Sequence, residues 1–297
     1  MKQVAMPMAA RDRLLDRFGP AAEAWIDDFG TIVGELCSQW GLDPLAVRAG
    51  GTGAVVECVL TADKTRYALK LSPDPRISEQ EAAALTYWAA AHSVVDLVDA
   101  DAARGAILLE WLPDTTGLNV GTWGIGDVAG LISDLYLRRG TPPEDVPLAR
   151  ERLEFVFELW DRRRHALADP PIDAAVWRRC HAAATEMASS GDSLLHGDLH
   201  PGNILRAGHE RRIVTIDPRP CLGDPAMDLA DLAMNGASSE AEIRSRCRQL
   251  ADIAEPVDAH RLWLWCRNFA PIMAVSLARR AARTEDITLM RTLASAR

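Results

Sequence analysis

The chain has 297 residues, of which 48% are hydrophobic and 25% are charged, a composition typical of globular proteins and not of disordered ones. The net charge of -9 argues against non-specific nucleic-acid binding, which needs a basic surface, and is compatible with a cationic small-molecule partner. No stretch approaches the roughly 18 apolar residues of a membrane span, and the first residues lack the apolar core of a signal peptide. We therefore expect a cytoplasmic protein without a membrane partner. The six cysteines form no CxxC pair, so we expect most of them to be buried and not to bind zinc.

The N-terminal part of the chain combines helices with short strands. Apolar residues at helical spacing over 11–40 predict one or two amphipathic helices that are interrupted near Gly19 and Pro20. Short β-prone runs follow over 45–60, 67–71 and 106–112, and a helix is predicted over 77–92.

The rest of the chain is mainly helical. Helices are predicted over 126–138, 148–166 and 173–189, and from Pro225 to the C-terminus. Short β-like runs interrupt them at 193–195, 203–205 and 213–216. The change of character near 112–116 predicts two domains, 1–112 and 113–297.

The segment HGDLHPGN, residues 196–203, carries the strongest chemical pattern. Asn203 lies five positions after Asp198, and Asp217 closes the next apolar run. Phosphoryl transfer needs a carboxylate to orient the attacking hydroxyl, together with an amide and a second carboxylate to hold Mg²⁺. We therefore interpret this spacing as a phosphoryl-transfer centre and not as an ordinary polar loop.

The two histidines of this segment, His196 and His200, are four positions apart, a spacing that binds zinc on a helix. Gly197, Pro201 and Gly202 argue against a helix here. We expect His196 to brace the loop, and the role of His200 stays open.

A second motif is the lysine in YALKL. Lys70 is predicted to lie on a strand, and Glu81 lies in the helix that follows. A strand lysine paired with a helix glutamate is how kinases position the ammonium group that contacts phosphates. Glu79 is the competing partner, and we prefer Glu81.

Weaker signals surround these motifs. In the glycine cluster 50–53, the backbone of Gly51, Thr52 and Gly53 could cover nucleotide phosphates, although any tight hairpin would use such residues. Backbone groups of Glu110 and Leu112 could meet an adenine edge, or could simply end a strand.

The segments LLHGDLHPGNIL (194–205) and VTIDPRPCLGDPAMDLADL (214–232), with YALKLS upstream, resemble the aminoglycoside phosphotransferase family, a branch of the protein-kinase-like fold. The form IDPRPCLGDPAMDLA is most similar to the streptomycin 6-kinase and hydroxyurea phosphotransferase subgroup. The resemblance covers most of the chain from Val47 onward. It implies an α+β, bilobal fold: an N-terminal lobe (1–112) with leading helices, an antiparallel sheet and nucleotide binding, and a larger, mostly helical lobe (113–297) with the catalytic loop and acceptor site.

The same resemblance implies a role for each motif residue. Asp198 would be the catalytic base, and Asn203 and Asp217 would bind Mg²⁺. Lys70 would contact the phosphates of ATP and would be held by Glu81. Where protein kinases carry HRD and DFG, this sequence reads HGD and IDP, which argues against a protein substrate.

The acceptor is the least constrained part of the prediction. Glu154 and Glu158, with Glu151, share one predicted helix face and could meet a cationic acceptor, or could form a solvated acidic face. Asp224 or Asp228 could cap a helix. We expect a monomer or weak dimer that phosphorylates a small molecule of the streptomycin type. The alternatives are a kinase for hydroxyurea, a macrolide, choline or a fructosamine, and a catalytically silent nucleotide-binding module.

Overall fold

The protein is described by a computed structural model that covers residues 4–49, 53–113, 115–117, 124–137, 140–208, 213–254 and 257–296. The chain forms two compact units. The first contains residues 1–90 and 94–114, and the second contains residues 91–93 and 115–297.

The first unit begins with two helices and continues with an antiparallel sheet. The helices are α1 (Met8–Phe18) and α2 (Glu23–Trp40), joined by a 3-10 turn at Gly19–Ala22, where the sequence predicts a break. The remaining elements are β1 (Leu42–Ala49), β2 (Ala54–Leu60), β3 (Arg66–Leu71), α3 (Pro75–Tyr87), β4 (Leu97–Asp101) and β5 (Ala106–Glu110). The strands lie in the order β1-β2-β3-β5-β4, and every neighbouring pair is antiparallel.

The core of this unit lies between α2 and one face of the sheet. Successive strand residues point to opposite faces, so alternate residues such as Val56, Leu69 and Leu71 share the buried face. They pack with Val33 and Leu36 of α2, which recur at helical spacing. The alternating apolar residues of the strands and the helically spaced apolar residues of α2 therefore form one continuous apolar layer.

The second unit contains seven helices among its described residues and two small sheets. Its elements are β6 (Thr116–Gly117), α4 (Ala129–Tyr136), α5 (Ala149–His165), α6 (Ala174–Met187), β7 (Ser193–Leu195), β8 (Ile204–Arg206), β9 (Val214–Thr215), β10 (Cys221–Gly223), α7 (Pro225–Met234), α8 (Glu240–Ile253), α9 (Ala259–Arg279) and α10 (Thr284–Ser295). One sheet has the order β6-β8-β9, and the other pairs β10 with β7. These short strands frame the segment between residues 196 and 217.

The structure bears on two predictions made from composition, one about the cysteines and one about membrane-spanning segments. All six cysteines are free and buried, as the sequence predicts. Among the described residues, none of the helices is both long enough and apolar enough to cross a bilayer.

Candidate active site

The loop between β7 and β8, residues 196–203, is here called the HGD loop. The side-chain amide of Asn203 donates to the backbone oxygen of Asp198 at 3.0 Å and to its carboxylate at 3.3 Å. Asn203 is largely buried, whereas Asp198 is partly exposed. Because the amide nitrogen of Asn203 donates to Asp198, its amide oxygen points away from Asp198 and can bind a cation or accept a hydrogen bond.

Asp217 follows β9 and lies beside the HGD loop. The Ile216 N–H donates to the Asn203 carbonyl at 2.9 Å, which brings the two segments together. Asp217 has a φ of 60°, a left-handed conformation that costs a non-glycine residue about 1 kcal/mol or more and is concentrated at functional sites. Its carboxylate lies 3.3 Å from the guanidinium of Arg219. The structure therefore brings together Asp198, Asn203 and Asp217.

The two histidines of the HGD loop have structural contacts. His196 is fully buried, and its Nε2 lies 2.9 Å from the Thr215 hydroxyl and 3.2 Å from the Ile216 carbonyl oxygen. Burial lowers the pKa of His196 to about 4, so the ring is neutral at pH 7. The His200 ring accepts the Gly202 N–H at 3.0 Å. In the described part of the chain, no group of three or more His, Cys, Asp or Glu side chains could hold a metal.

Asp228 holds the start of the HGD loop from α7. Its carboxylate accepts the Gly197 N–H at 2.9 Å and the Tyr136 hydroxyl at 2.8 Å. Burial raises the pKa of Asp228 to about 6. The helix cap is Asp224, which accepts the Ala226 N–H at 3.0 Å, so of the two predicted candidates Asp228 has a different role. A carboxylate inside the apolar run PAMDLADL was the available signal for this buried contact.

In the first unit, Lys70 and Glu81 form a buried ion pair. The Lys70 ammonium lies 2.6 and 2.5 Å from the two carboxylate oxygens of Glu81, and Lys70 is only 6% exposed. Glu79, the competing partner, is exposed. A charge removed from water needs such a partner. The pairing is present in the fold, and its role in nucleotide binding stays a prediction.

The structure describes only some of the residues predicted to bind the nucleotide, and some of those already have other contacts. Gly51 and Thr52 lie outside the described residues. At Gly53 a Cβ would lie 1.7 Å from the backbone oxygen of Leu71, so close packing on β3 already explains this glycine. The N–H of Glu110 donates to the Asp96 carbonyl at 3.0 Å and is therefore not available to an adenine.

The predicted acceptor residues lie on α5. The Thr185 hydroxyl of α6 donates to the Glu154 carboxylate at 3.2 Å, and His181 Nε2 lies 3.0 Å from the same carboxylate. Glu154 lines a cavity of about 440 Å³ between α5 and α6, whereas Glu158 is exposed. Among the described residues, neither glutamate forms a hydrogen bond or an ion pair with Asp198, and their role in binding an acceptor stays a prediction.

A different α5 residue, Arg152, lies within electrostatic range of Asp198. Sequence reasoning missed it because an arginine on an amphipathic helix normally points to solvent. Only the packing of α5 reveals that the residue is partly buried, with its Nε shielded from solvent.

Comparison with known proteins gives this geometry a family. The model of the family described as "Aminoglycoside/hydroxyurea antibiotic resistance kinase" matches residues 39–281. The chain belongs to this family. A streptomycin 6-kinase from Streptomyces glaucescens is 34% identical over 235 residues, which cover 77% of this chain and 74% of that protein. A hydroxyurea phosphotransferase from Kitasatospora aureofaciens is 33% identical over 224 residues, covering 73% of this chain and 64% of that protein.

The fold of this family member also matches solved kinases. The crystal structure of the choline kinase LicA from Streptococcus pneumoniae superimposes with a TM-score of 0.59 at 13% identity, covering 90% of this chain and 97% of that one. These matches confirm the predicted family, the protein-kinase-like α+β fold and the prediction of a kinase. Nucleotide binding follows, because a kinase takes its phosphoryl group from a nucleotide.

Proposed function

We propose that this family member transfers the γ-phosphoryl group of ATP to a hydroxyl of a small cationic molecule of the streptomycin type. The observation that carries the proposal is the HGD loop, in which Asn203 is bonded to Asp198 and lies beside Asp217. The similarity to a streptomycin 6-kinase over 77% of the chain supports the choice of acceptor.

Within this proposal, the chain's own residues have distinct tasks. Asp198 orients the acceptor hydroxyl and takes its proton as the oxygen attacks phosphorus. Lys70, held by Glu81, contacts the phosphates of the nucleotide. Asp228 and its bond to the Gly197 N–H keep the loop in place while Asp198 acts.

The oxygen atoms of Asn203 and Asp217 fit Mg²⁺, a hard cation that prefers oxygen ligands and commonly shares its coordination sphere with substrate phosphates. The Asn203 amide fits because its nitrogen is committed to Asp198. When bound, Mg²⁺ would neutralise charge on the β- and γ-phosphates. Two protein ligands suffice for such a site, so the absence of a three-residue cluster among the described residues does not conflict with it.

Hydroxyurea is the second candidate acceptor, because the hydroxyurea phosphotransferase is 33% identical to this chain, nearly the value for the streptomycin kinase. A panel of acceptors assayed for ATP consumption and for the phosphorylated product would separate the two. We expect turnover with streptomycin. Product from hydroxyurea alone would assign the second function, and no product from any acceptor would favour a silent nucleotide-binding module.

The catalytic assignment is tested by Asp198→Asn. We expect kcat to fall by at least about 1,000-fold, because the variant cannot take the proton or orient the hydroxyl as a carboxylate does. Binding of ATP, followed by calorimetry, should be retained. Asp252→Asn is the matched control, since Asp252 is an exposed carboxylate on α8. Turnover by Asp198→Asn at the wild-type rate would refute the role of Asp198.

A further inference from the structure

The N-terminal turn of α5 is fixed against β10. The Leu222 N–H donates to the Pro147 carbonyl at 2.9 Å. Gly223 leaves no room for a side chain, because a Cβ there would lie 2.5 Å from the Cβ of Ala149. β10 in turn pairs with β7, which leads directly into the HGD loop. Arg152 lies about one helical turn after Ala149, on the stretch of α5 that these contacts fix beside β10.

The Nε of Arg152 is buried and has no hydrogen-bonding partner among the described residues, whereas the residue as a whole is partly exposed. Its one described side-chain contact is an approach over the Phe155 ring at 5.7 Å. Burial lowers the pKa of Arg152, the carboxylate of Asp198 opposes that shift, and Arg219 adds to it. A buried N–H donor without a partner costs free energy of folding, so a ligand oxygen that accepts from it would offset that cost.

Arg152 and Asp198 influence each other electrostatically but do not form an ion pair. In the described part of the chain, no N–O distance of 4.0 Å or less joins the two side chains. The buried N–H of Arg152 is near the Asp198 carboxylate but does not contact it. It can therefore donate a hydrogen bond to a ligand oxygen that lies between the two side chains. The reacting atoms of a phosphoryl transfer would supply such an oxygen.

We propose that Arg152 is a catalytic residue that binds a non-bridging oxygen of the phosphoryl group during its transfer; this inference rests on the proposed function. In that step the acceptor oxygen bonds to the γ-phosphorus, its proton passes to Asp198, and the bond to the bridging oxygen breaks as ADP leaves with the electron pair. Negative charge is spread over the three equatorial oxygens, which a guanidinium can bind through two parallel N–H bonds.

Two further observations favour the phosphoryl group as the partner. HGDLHPGN contains no lysine or arginine, so a cation beside Asp198 has to come from elsewhere in the chain. A cationic acceptor would be repelled by Arg152, whereas the anionic phosphoryl group is attracted.

The test replaces Arg152 by Met, which keeps much of its apolar stem, and by Lys, which keeps the charge without the planar fork. We expect kcat of Arg152→Met to fall at least about 100-fold, as for loss of one transition-state donor. KM for ATP and for the acceptor should stay within about threefold. Arg152→Lys should be intermediate. Arg163→Met is the control, because Arg163 is also on α5 but lies over Trp160 at 4.6 Å.

A second readout does not depend on the acceptor. The affinity of wild-type protein for MgADP should rise when aluminium fluoride, a mimic of the transferred phosphoryl group, is added, and Arg152→Met should bind MgADP normally but lose that gain. Failure of every acceptor with the wild type would count against the proposed function, whereas this readout would still test Arg152. The inference is overturned if Arg152→Met keeps its kcat or the fluoride gain. It is equally overturned if only KM for the acceptor rises, or if the melting temperature and MgADP binding fall together with kcat.

Discussion

Gly197 occupies a backbone position that favours glycine. Its φ is 74°, and a Cβ there would lie 1.9 Å from the carbonyl oxygen of Arg219. The Arg219 N–H also donates to the His196 carbonyl at 2.7 Å, so the segment after β9 lies tightly against the start of the HGD loop. The position of Asp198 thus depends on the residue before it having no side chain.

We therefore predict that Gly197→Ala displaces Asp198. A displacement of about 1 Å would lower turnover by roughly 100-fold, and the free energy of unfolding should fall by more than about 1 kcal/mol. Kinetics and urea denaturation measure the two effects. Gly208→Ala is the control, because a Cβ at Gly208 meets nothing within 4 Å and its φ is not in the left-handed region. Equal activity of the two variants would contradict the prediction.

The sequence predicts those site residues whose relation is local. Asp198 and Asn203 lie in one short loop, and their spacing alone indicates that they meet. Asp228 hydrogen-bonds to the loop from α7, and Arg152 acts electrostatically on Asp198 from α5; both relations depend on which face of each helix is packed inward. The residue types alone do not show which side chains of separate helices approach the loop, because that is decided by tertiary packing.

At the scale of elements, helices were easier to predict than strands. The helical period identifies α2 and α6 closely, because each carries a continuous apolar stripe. β4 was missed because this edge strand, LVDAD, contains two aspartates and is mostly exposed. The three-residue strand β10 was also missed, because its pairing with β7 is a tertiary contact.

The apolar face of α2 gives a prediction at this scale. Leu36 is fully buried against the sheet of the first unit. We expect Leu36→Ala to lower the free energy of unfolding by about 2–5 kcal/mol, through lost transfer free energy and the cavity left behind. Leu45→Ala provides the control, because Leu45 is 47% exposed on β1. A similar loss in both variants, measured by urea denaturation, would show that α2 does not cover the sheet as described.

For the whole molecule, composition and charge predict the class of protein but not the roles of its parts. The assignment of nucleotide binding to 1–112 and of the acceptor site to 113–297 stays a prediction, because composition does not report which groups bind a ligand. The sequence nevertheless predicts the local structure around both residues: Lys70 lies on the predicted strand β3, and Asp198 lies in the predicted loop after β7.

Ligand binding tests the molecule as a whole. At a free concentration one hundred times its dissociation constant, MgATP should raise the free energy of unfolding by about 2.7 kcal/mol. Calorimetric melting curves with and without MgATP measure the shift. Mg²⁺ without nucleotide is one control, and Asp217→Asn should reduce the part of the shift that needs Mg²⁺. An unchanged melting curve at saturating MgATP would count against nucleotide binding.

The six buried thiols have a practical consequence. Cys37 and Cys58 belong to the first unit, whereas Cys180, Cys221, Cys247 and Cys266 belong to the second. A thiol reagent can reach a buried sulfur only when the surrounding structure opens. The rate at which each cysteine is alkylated therefore reports how often the structure around it unfolds locally. Mass spectrometry of the labelled peptides can measure this rate for each of the two units separately, in one sample of the unmodified protein.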